Sequence, residues 1–341
     1  MAAGGTGNSA VPASAPSSSE SDGADDLFIS PDAIPARVAE IQTPSAALLR
    51  REHAIFFAAI ILPIVGTVVG IARLKNHPLT SVDGGLIIGL FLVNSIGIEV
   101  GYHRLFTHHA FVTSTPVRVA LAIAGAMAVQ GPVMYWIAHH RRHHQNSDRP
   151  GDPHSPNLEG AGLVGRVKGL WHAHLGWIFS SERASAGYYA RDILQDAAVS
   201  KVDRFYYAWL LLTLALPTLL GGVLRWNMEG AINGLLWGGF FRILLAQNGP
   251  YAINSFGHSW GSRPFESKDS SRNSVLFMLA SMGGSLHNNH HAFPGTAKNS
   301  LRWFELDPGW WVIRTLQFCG LAKEIRVPSP SALQRRRRAK K

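Results

Sequence analysis

Apolar residues in this chain fall into long blocks rather than short amphipathic stripes. Four blocks, 53–74, 84–102, 205–224 and 231–253, each reach the roughly 20 helical residues needed to cross about 30 Å of hydrocarbon. Four crossings return both termini to one side. Two shorter apolar runs, 119–129 and 275–286, are about half the length of a crossing and predict interfacial or re-entrant helices. Residues 145–201 are polar, with Pro150, Pro153 and Pro156 followed by Trp171 and Trp177, and predict part of a cytosolic cap. Residues 1–45 are rich in Ala, Gly, Ser and Pro and carry Asp22, Asp25, Asp26 and Asp32. That composition predicts a disordered tail, and without a basic start it is expected to be neither a signal nor a transit peptide. The expected architecture is an all-α integral membrane protein: four transmembrane helices, a cytosolic helical cap and short interfacial helices in a unit spanning 46–325, followed by a basic tail at 326–341.

Composition agrees with the pattern, since 46% of residues are hydrophobic and only 16% charged. The net charge of +10 owes six positive charges to Arg335, Arg336, Arg337, Arg338, Lys340 and Lys341. A basic tail suits the anionic cytoplasmic leaflet, which places both termini in the cytoplasm. Nucleic acid is not an expected partner, because no aromatic-interleaved basic face accompanies the tail. The single cysteine, Cys319, excludes a disulfide or a cysteine-ligated zinc or iron–sulfur site within one chain.

The sixteen histidines change the picture, because ten of them sit in three tight clusters, at 103–109, 139–144 and 287–291. The first reads His103-Arg-Leu-Phe-Thr-His108, the second His140-Arg-Arg-His143-His144, the third His287-Asn-Asn-His290-His291. Two residues five apart diverge by about 140° on an α-helix, so the first pair can share a centre only where the helix ends or bends. Spacing i, i+3, i+4 puts each triplet on one helical face. If the run 119–129 does not cross, all three clusters lie at the cytoplasmic end and can converge. Eight imidazoles exceed the needs of one tetrahedral zinc and point to two ions. No inward Glu and Glu-x-x-His pattern lies near them, so an all-nitrogen set of ligands is expected. Imidazole suits iron, zinc, copper and nickel alike, and leaves the metal open. Glu99 and Arg242 are charged groups inside expected crossings, where such groups face the bundle interior. Glu99 lies one turn before His103, placed to accept a hydrogen bond from that ring's other nitrogen. His53, His109, His139 and His172 are expected non-ligands, and His154 is assigned to a polar network beneath the metals.

The three boxes, in this order between two pairs of apolar crossings, resemble the membrane fatty acid desaturase family and its Δ9 acyl-CoA desaturase branch. The likeness extends to Gln130 and Trp136, Asp152-Pro-His154, His174-Leu-Gly-Trp177, Asn254-Ser-Phe-Gly-His258, Ser271-Arg-Asn273, Asn289-His-His-Ala-Phe-Pro294 and Asp307-Pro-Gly-Trp-Trp311. It implies two iron ions, O₂ as co-substrate and a fatty acyl substrate, acyl-CoA being expected. It further implies His258 as a ninth ligand beside His103, His108, His140, His143, His144, His287, His290 and His291, with Asn254 acting through a metal-bound water. Gln130 and Trp136 would line the bend of an acyl tunnel, and Phe91 and Ser95 its far end. Electrons would come from a separate ferredoxin, rubredoxin or cytochrome-type carrier, no heme-binding domain being appended. Two departures stand out. Gly283-Gly-Ser-Leu286 lacks the acidic residue usual before the third box, and Pro250 stands where a threonine is common. A hydroxylase of the same di-iron superfamily is the alternative. A histidine-rich metal transporter is remote because its ligands would lie near the bilayer midplane, and a membrane zinc hydrolase would use fewer ligands.

Overall fold

The computed structural model describes residues 39–338 together with Met1, so most of the expected tail at 1–45 and the last three residues lie outside the described part. The chain is mostly helical. Helix α1 (Ala46–Arg73) opens at Ser45, whose hydroxyl accepts from Leu48 N. Helix α2 (Ser81–Ile96) opens on a reciprocal box in which Asp83 accepts from Thr80 N at 2.8 Å, which closes two otherwise unpaired backbone donors. It runs on without a break as a π-helix, π1 (Gly97–Thr107). Helix α3 (Thr115–Ala126) and α4 (Val133–Asn146) follow, then α5 (Gly162–His174) and three short helices, α6 (Ala186–Tyr189), α7 (Arg191–Gln195) and α8 (Ala197–Arg204). Helix α9 (Tyr206–Arg225) leads to α10 (Met228–Asn233), a second π-helix π2 (Gly234–Phe241) and α11 (Arg242–Phe256). The last are α12 (His287–Ala292), α13 (Pro308–Phe318) and α14 (Pro330–Arg336). Two-residue strands pair β1 (Ile41–Gln42) with β3 (Arg183–Ala184) and β2 (Val112–Thr113) with β4 (Ala322–Lys323), both antiparallel.

Among the described residues, three helices are long and apolar enough to cross a membrane: Ala46–Arg73, Ser81–Thr107 and Tyr206–Arg225. Their outer faces leave Phe57, Val68, Ile88, Leu211 and Leu219 exposed, as lipid contact requires. The expected crossing at 231–253 lies in an unbroken helical run, 228–256, that is more polar than the other three. It packs against α1, α2 and α9, and a helix sheathed by neighbours needs less apolar surface. Its charge is internal: buried Arg242 donates to Asn94 Oδ1 at 2.5 Å and to the carbonyls of Gly238, Met127 and Thr213. Glycine permits one close helix contact, since a Cβ at Gly97 would meet the backbone of Gly125 on α3.

The two short apolar runs differ from each other. The first forms α3, at 12 residues too short to cross. The second, 275–286, is a series of turns instead of the expected helix. Met282 and Gly283 adopt φ of 53° and 89°, and Met282 O accepts from Arg104 and from Gly309 N. These contacts draw the backbone away from helical pairing.

Candidate metal centre

The π winding of π1 places box one. Its hydrogen bonds run i to i+5, and His108 N donates to His103 O at 3.1 Å, so residues five apart stack along the helix. The expected helix end is present at His108, but a π-helix rather than a bend brings the pair together. Helix α4 carries box two, α12 carries box three, and His258 follows the end of α11.

Nine imidazoles gather into two neighbouring groups, within each of which the candidate ligand nitrogens all lie within 4.8 Å of one another. One holds His103, His108, His140, His144 and His290; the other holds His143, His258, His287 and His291. Each triplet therefore serves both groups. Its i, i+4 pair points about 40° apart into one group, and its i+3 member diverges into the other. Stacked rings of His144 and His291, 4.4 Å between centroids, join the two groups.

The donor chemistry fits metal. Nε2 atoms face each other at 2.9 Å for His103 and His290, 3.1 Å for His140 and His144, and 2.9 Å for His258 and His287. Two nitrogens bound at about 2.1 Å and at right angles would be about 3.0 Å apart. Buried Nε2 atoms of His108, His143 and His291 have no hydrogen-bond partner, an expensive arrangement unless something binds the lone pairs. Burial first, and then neighbouring imidazoles, hold His140, His144, His287 and His290 well below the ordinary histidine range. That keeps them neutral, the form that ligates.

Carboxylates stand behind the rings. His143 Nδ1 lies 2.9 Å from Asp152, His258 Nδ1 3.0 Å from Asp148, His291 Nδ1 2.6 Å from Asp269, and His103 Nδ1 3.1 Å from Glu99. The three aspartates hydrogen-bond these nitrogens, which fixes ring orientation and turns the opposite nitrogen inward, whereas Glu99 stands beside His103 Nδ1 without hydrogen-bond geometry. Burial alone would raise the carboxyls of Asp148 and Asp269, but the His258 and His291 imidazoles hold both well below the usual carboxylate range. Glu99 also accepts from Arg104 at 3.0 Å, and its Oε2 lies 2.9 Å from where a Cβ at Gly284 would stand. A side chain at Gly284 would therefore crowd the Glu99 carboxylate.

The remaining expected site residues line two cavities. Gln130, Trp136, His154 and Asn254 border one beside His140; Gln130 accepts from Trp136 Nε1 at 3.3 Å and donates to Ala246 O at 2.8 Å. His154 stacks on His143 at 4.3 Å. Phe91 and Ser95 border the other with Glu99 and Ile253, and Pro250 lines both. The expected non-ligands are engaged elsewhere: His53 with Ser180 O, His109 with Asp192, His139 with Tyr135 O and His172 with Pro153 O.

Sequence reasoning missed Asp148 and Asp269, which sit in irregular segments with no spacing to reveal them, and Arg104, which looks like an ordinary helix-end cation. Arg104 is 1% exposed and clasps Asp307 at 2.8 Å as well as Glu99, tying box one to the segment after box three.

Comparison with known proteins gives the arrangement a lineage. The fatty acid desaturase family model matches residues 76–320. A hex-5-enoyl-[acyl-carrier protein] acetylenase of Moorena producens is 44% identical over 281 residues, 82% of this chain and 88% of the relative. Delta-9 acyl-lipid desaturase 1 of Arabidopsis thaliana is 35% identical over 251 residues, 73% and 76% of the two chains. An sn-2 palmitoyl-lipid 9-desaturase of Nostoc is 35% identical over 253 residues, 72% and 82% of the two chains. With its histidine groups and apolar helices, the chain belongs to the fatty acid desaturase family of membrane oxidoreductases, on its Δ9 side.

Proposed function

We propose that this enzyme introduces a cis double bond at C9 of a long-chain fatty acyl group, using two irons held by the nine imidazoles. The observation that carries this reading is the pair of histidine groups side by side, within each of which the ligand nitrogens lie within 4.8 Å of one another. Bound there, two irons with O₂ would supply the power to remove hydrogens from adjacent unactivated methylenes. The chain's own residues supply the rest. Asp148, Asp152 and Asp269 hold ligand rings in orientation, and the Glu99 carboxylate stands beside His103. Gln130 and Trp136 brace each other beside His140 and would bend the acyl chain past the metals. Asn254, bordering the same cavity, would steady a water on the four-histidine group. Neighbouring methylenes are chemically alike, so position in the cavity decides which one reacts.

On this reading the run 228–256 is the fourth crossing, 46–325 is the catalytic unit, and the histidine end and both termini face the cytoplasm. The short elements between α4 and α9 form the cap there, where a separate ferredoxin, rubredoxin or cytochrome-type donor delivers electrons. The relatives' names include coenzyme A, lipid and carrier-protein acyl groups, so they do not favour the expected acyl-CoA.

Expression in cells lacking a desaturase, with fatty acids identified and bound iron measured, tests the proposal. A Δ9 monounsaturated product supports it; saturated lipids throughout, with an active donor present, refute it. An acetylenic product would align the chain with the acetylenase, and a hydroxylated one would favour oxygen insertion.

A further inference from the structure

Among the described residues, three prolines lie inside helices: Pro63 in α1, Pro217 in α9 and Pro250 in α11. Proline has no N–H, so each leaves the carbonyl four residues earlier without its usual helical donor. In a membrane bundle such a carbonyl has to find a donor on a neighbour. All three do. Gln247 Nε2 donates to Ala59 O at 3.2 Å, Arg242 to Thr213 O at 2.7 Å, and Gln130 Nε2 to Ala246 O at 2.8 Å.

The third of these links leads to the metal groups. The backbone on either side of Gln130 is already fixed: Val129 and Gly131 take left-handed φ of 60° and 102°, Val129 O accepts from Gln247 at 3.0 Å, and Gly131 N donates to the Tyr206 hydroxyl at 3.0 Å. What remains to be oriented is the Gln130 amide, which donates at one end and accepts at the other. With Nε2 on the Ala246 carbonyl, Oε1 faces the Trp136 indole N–H and accepts from it at 3.3 Å. The Trp136 ring in turn stacks on the His140 imidazole, 4.8 Å between centroids. Gln130, Trp136, His140 and Pro250 all border one cavity.

We propose that Pro250 is a positioning residue for regiochemistry: by withholding an N–H it keeps Ala246 O for Gln130, which sets the Trp136 ring and thereby which methylene faces the metal groups. The inference rests on the desaturase reading and adds a residue that sets its product. Any other residue at 250 returns a helical donor to the Ala246 carbonyl, already ordered by the helix itself, whereas Gln130 has to order a long side chain to compete. The Gln130 amide then loses the anchor that orients it toward Trp136.

A proline in a cavity wall could also act by its bulk. Pro250→Ala and Pro250→Val separate the two effects, because both restore the N–H while one shrinks the wall and the other enlarges it. The full-length parent and variants are expressed in desaturase-deficient cells, double-bond positions are located by mass spectrometry of disulfide adducts, and iron is measured in the purified proteins. Both variants should lower the preference for the parent position over its neighbours about fivefold, the worth of one hydrogen bond, with iron content unchanged. Gln130→Leu, which leaves α11 intact, should do the same, and combining it with Pro250→Ala should add nothing, since both break one link. Pro217→Ala serves as control: its carbonyl is held by Arg242, which does not border this cavity, and the parent pattern should persist. Opposite shifts in the Ala and Val variants, additive effects of Pro250→Ala and Gln130→Leu, an unchanged product pattern, or the same shift in Pro217→Ala would each overturn the proposal. A parent that binds two irons and forms no unsaturated product would overturn the desaturase reading itself, and this inference with it.

Discussion

Replacing Arg104 by methionine removes the cation that joins the first histidine box to the third. The guanidinium donates to Glu99 at 3.0 and 3.2 Å, to Asp307 at 2.8 and 3.2 Å, and to the carbonyls of Ala297 at 2.7 Å and Met282 at 3.2 Å. Side chains of Glu99 and Asp307 are 9% and 0% exposed, so Arg104→Met strands two carboxylates out of water. Breaking a buried ion pair in this way costs about 3–5 kcal/mol, a large share of the roughly 5–15 kcal/mol that holds a typical fold. Arg104→Lys should recover only part of the loss, because an ammonium cannot fork to two carboxylates. The exposed Arg314→Met serves as control and should change stability by no more than about 0.5 kcal/mol. Thermal unfolding of the purified protein in detergent, with iron measured in parallel, reads both effects. An Arg104→Met protein as stable and as iron-replete as its parent would refute the reasoning.

Asp269→Asn takes the carboxylate from His291 Nδ1 and should lower iron affinity about 10–100-fold, measured by competition with a chelator; unchanged retention would remove Asp269 from the metal site. Ser95→Phe should fill the cavity shared with Phe91 and shift products toward shorter acyl chains, while Phe91→Ala should admit longer ones. Gas chromatography of total fatty acids reads both, and an unchanged chain-length profile would detach this cavity from the acyl chain.

Local spacing made the histidines legible, whereas the features that depend on distant partners stayed hidden. His140, His143 and His144 announce one face through their intervals alone. That the middle member serves a second group follows only from where α12 and His258 lie. The five-residue gap between His103 and His108 posed a problem on an α-helix that π1 resolves, and nothing in Gly97–Thr107 marks π winding beforehand. Arg242 could be recognised as interior because a charge in an apolar block has few places to go. Arg104 stands beside a ligand at a helix end, where solvent would also explain it. The run 275–286 is apolar enough to suggest a helix, but Arg104 and Gly309 claim its Met282 carbonyl. Asp148 and Asp269 meet His258 and His291 across loops, a pairing visible only in three dimensions.

Metal content bears most directly on the centre of the account. Purified full-length protein, analysed by plasma mass spectrometry for metals and by X-ray absorption for their neighbours, should hold two irons per chain surrounded chiefly by imidazole nitrogen. One metal per chain, zinc in place of iron, or a carboxylate-dominated environment would contradict it.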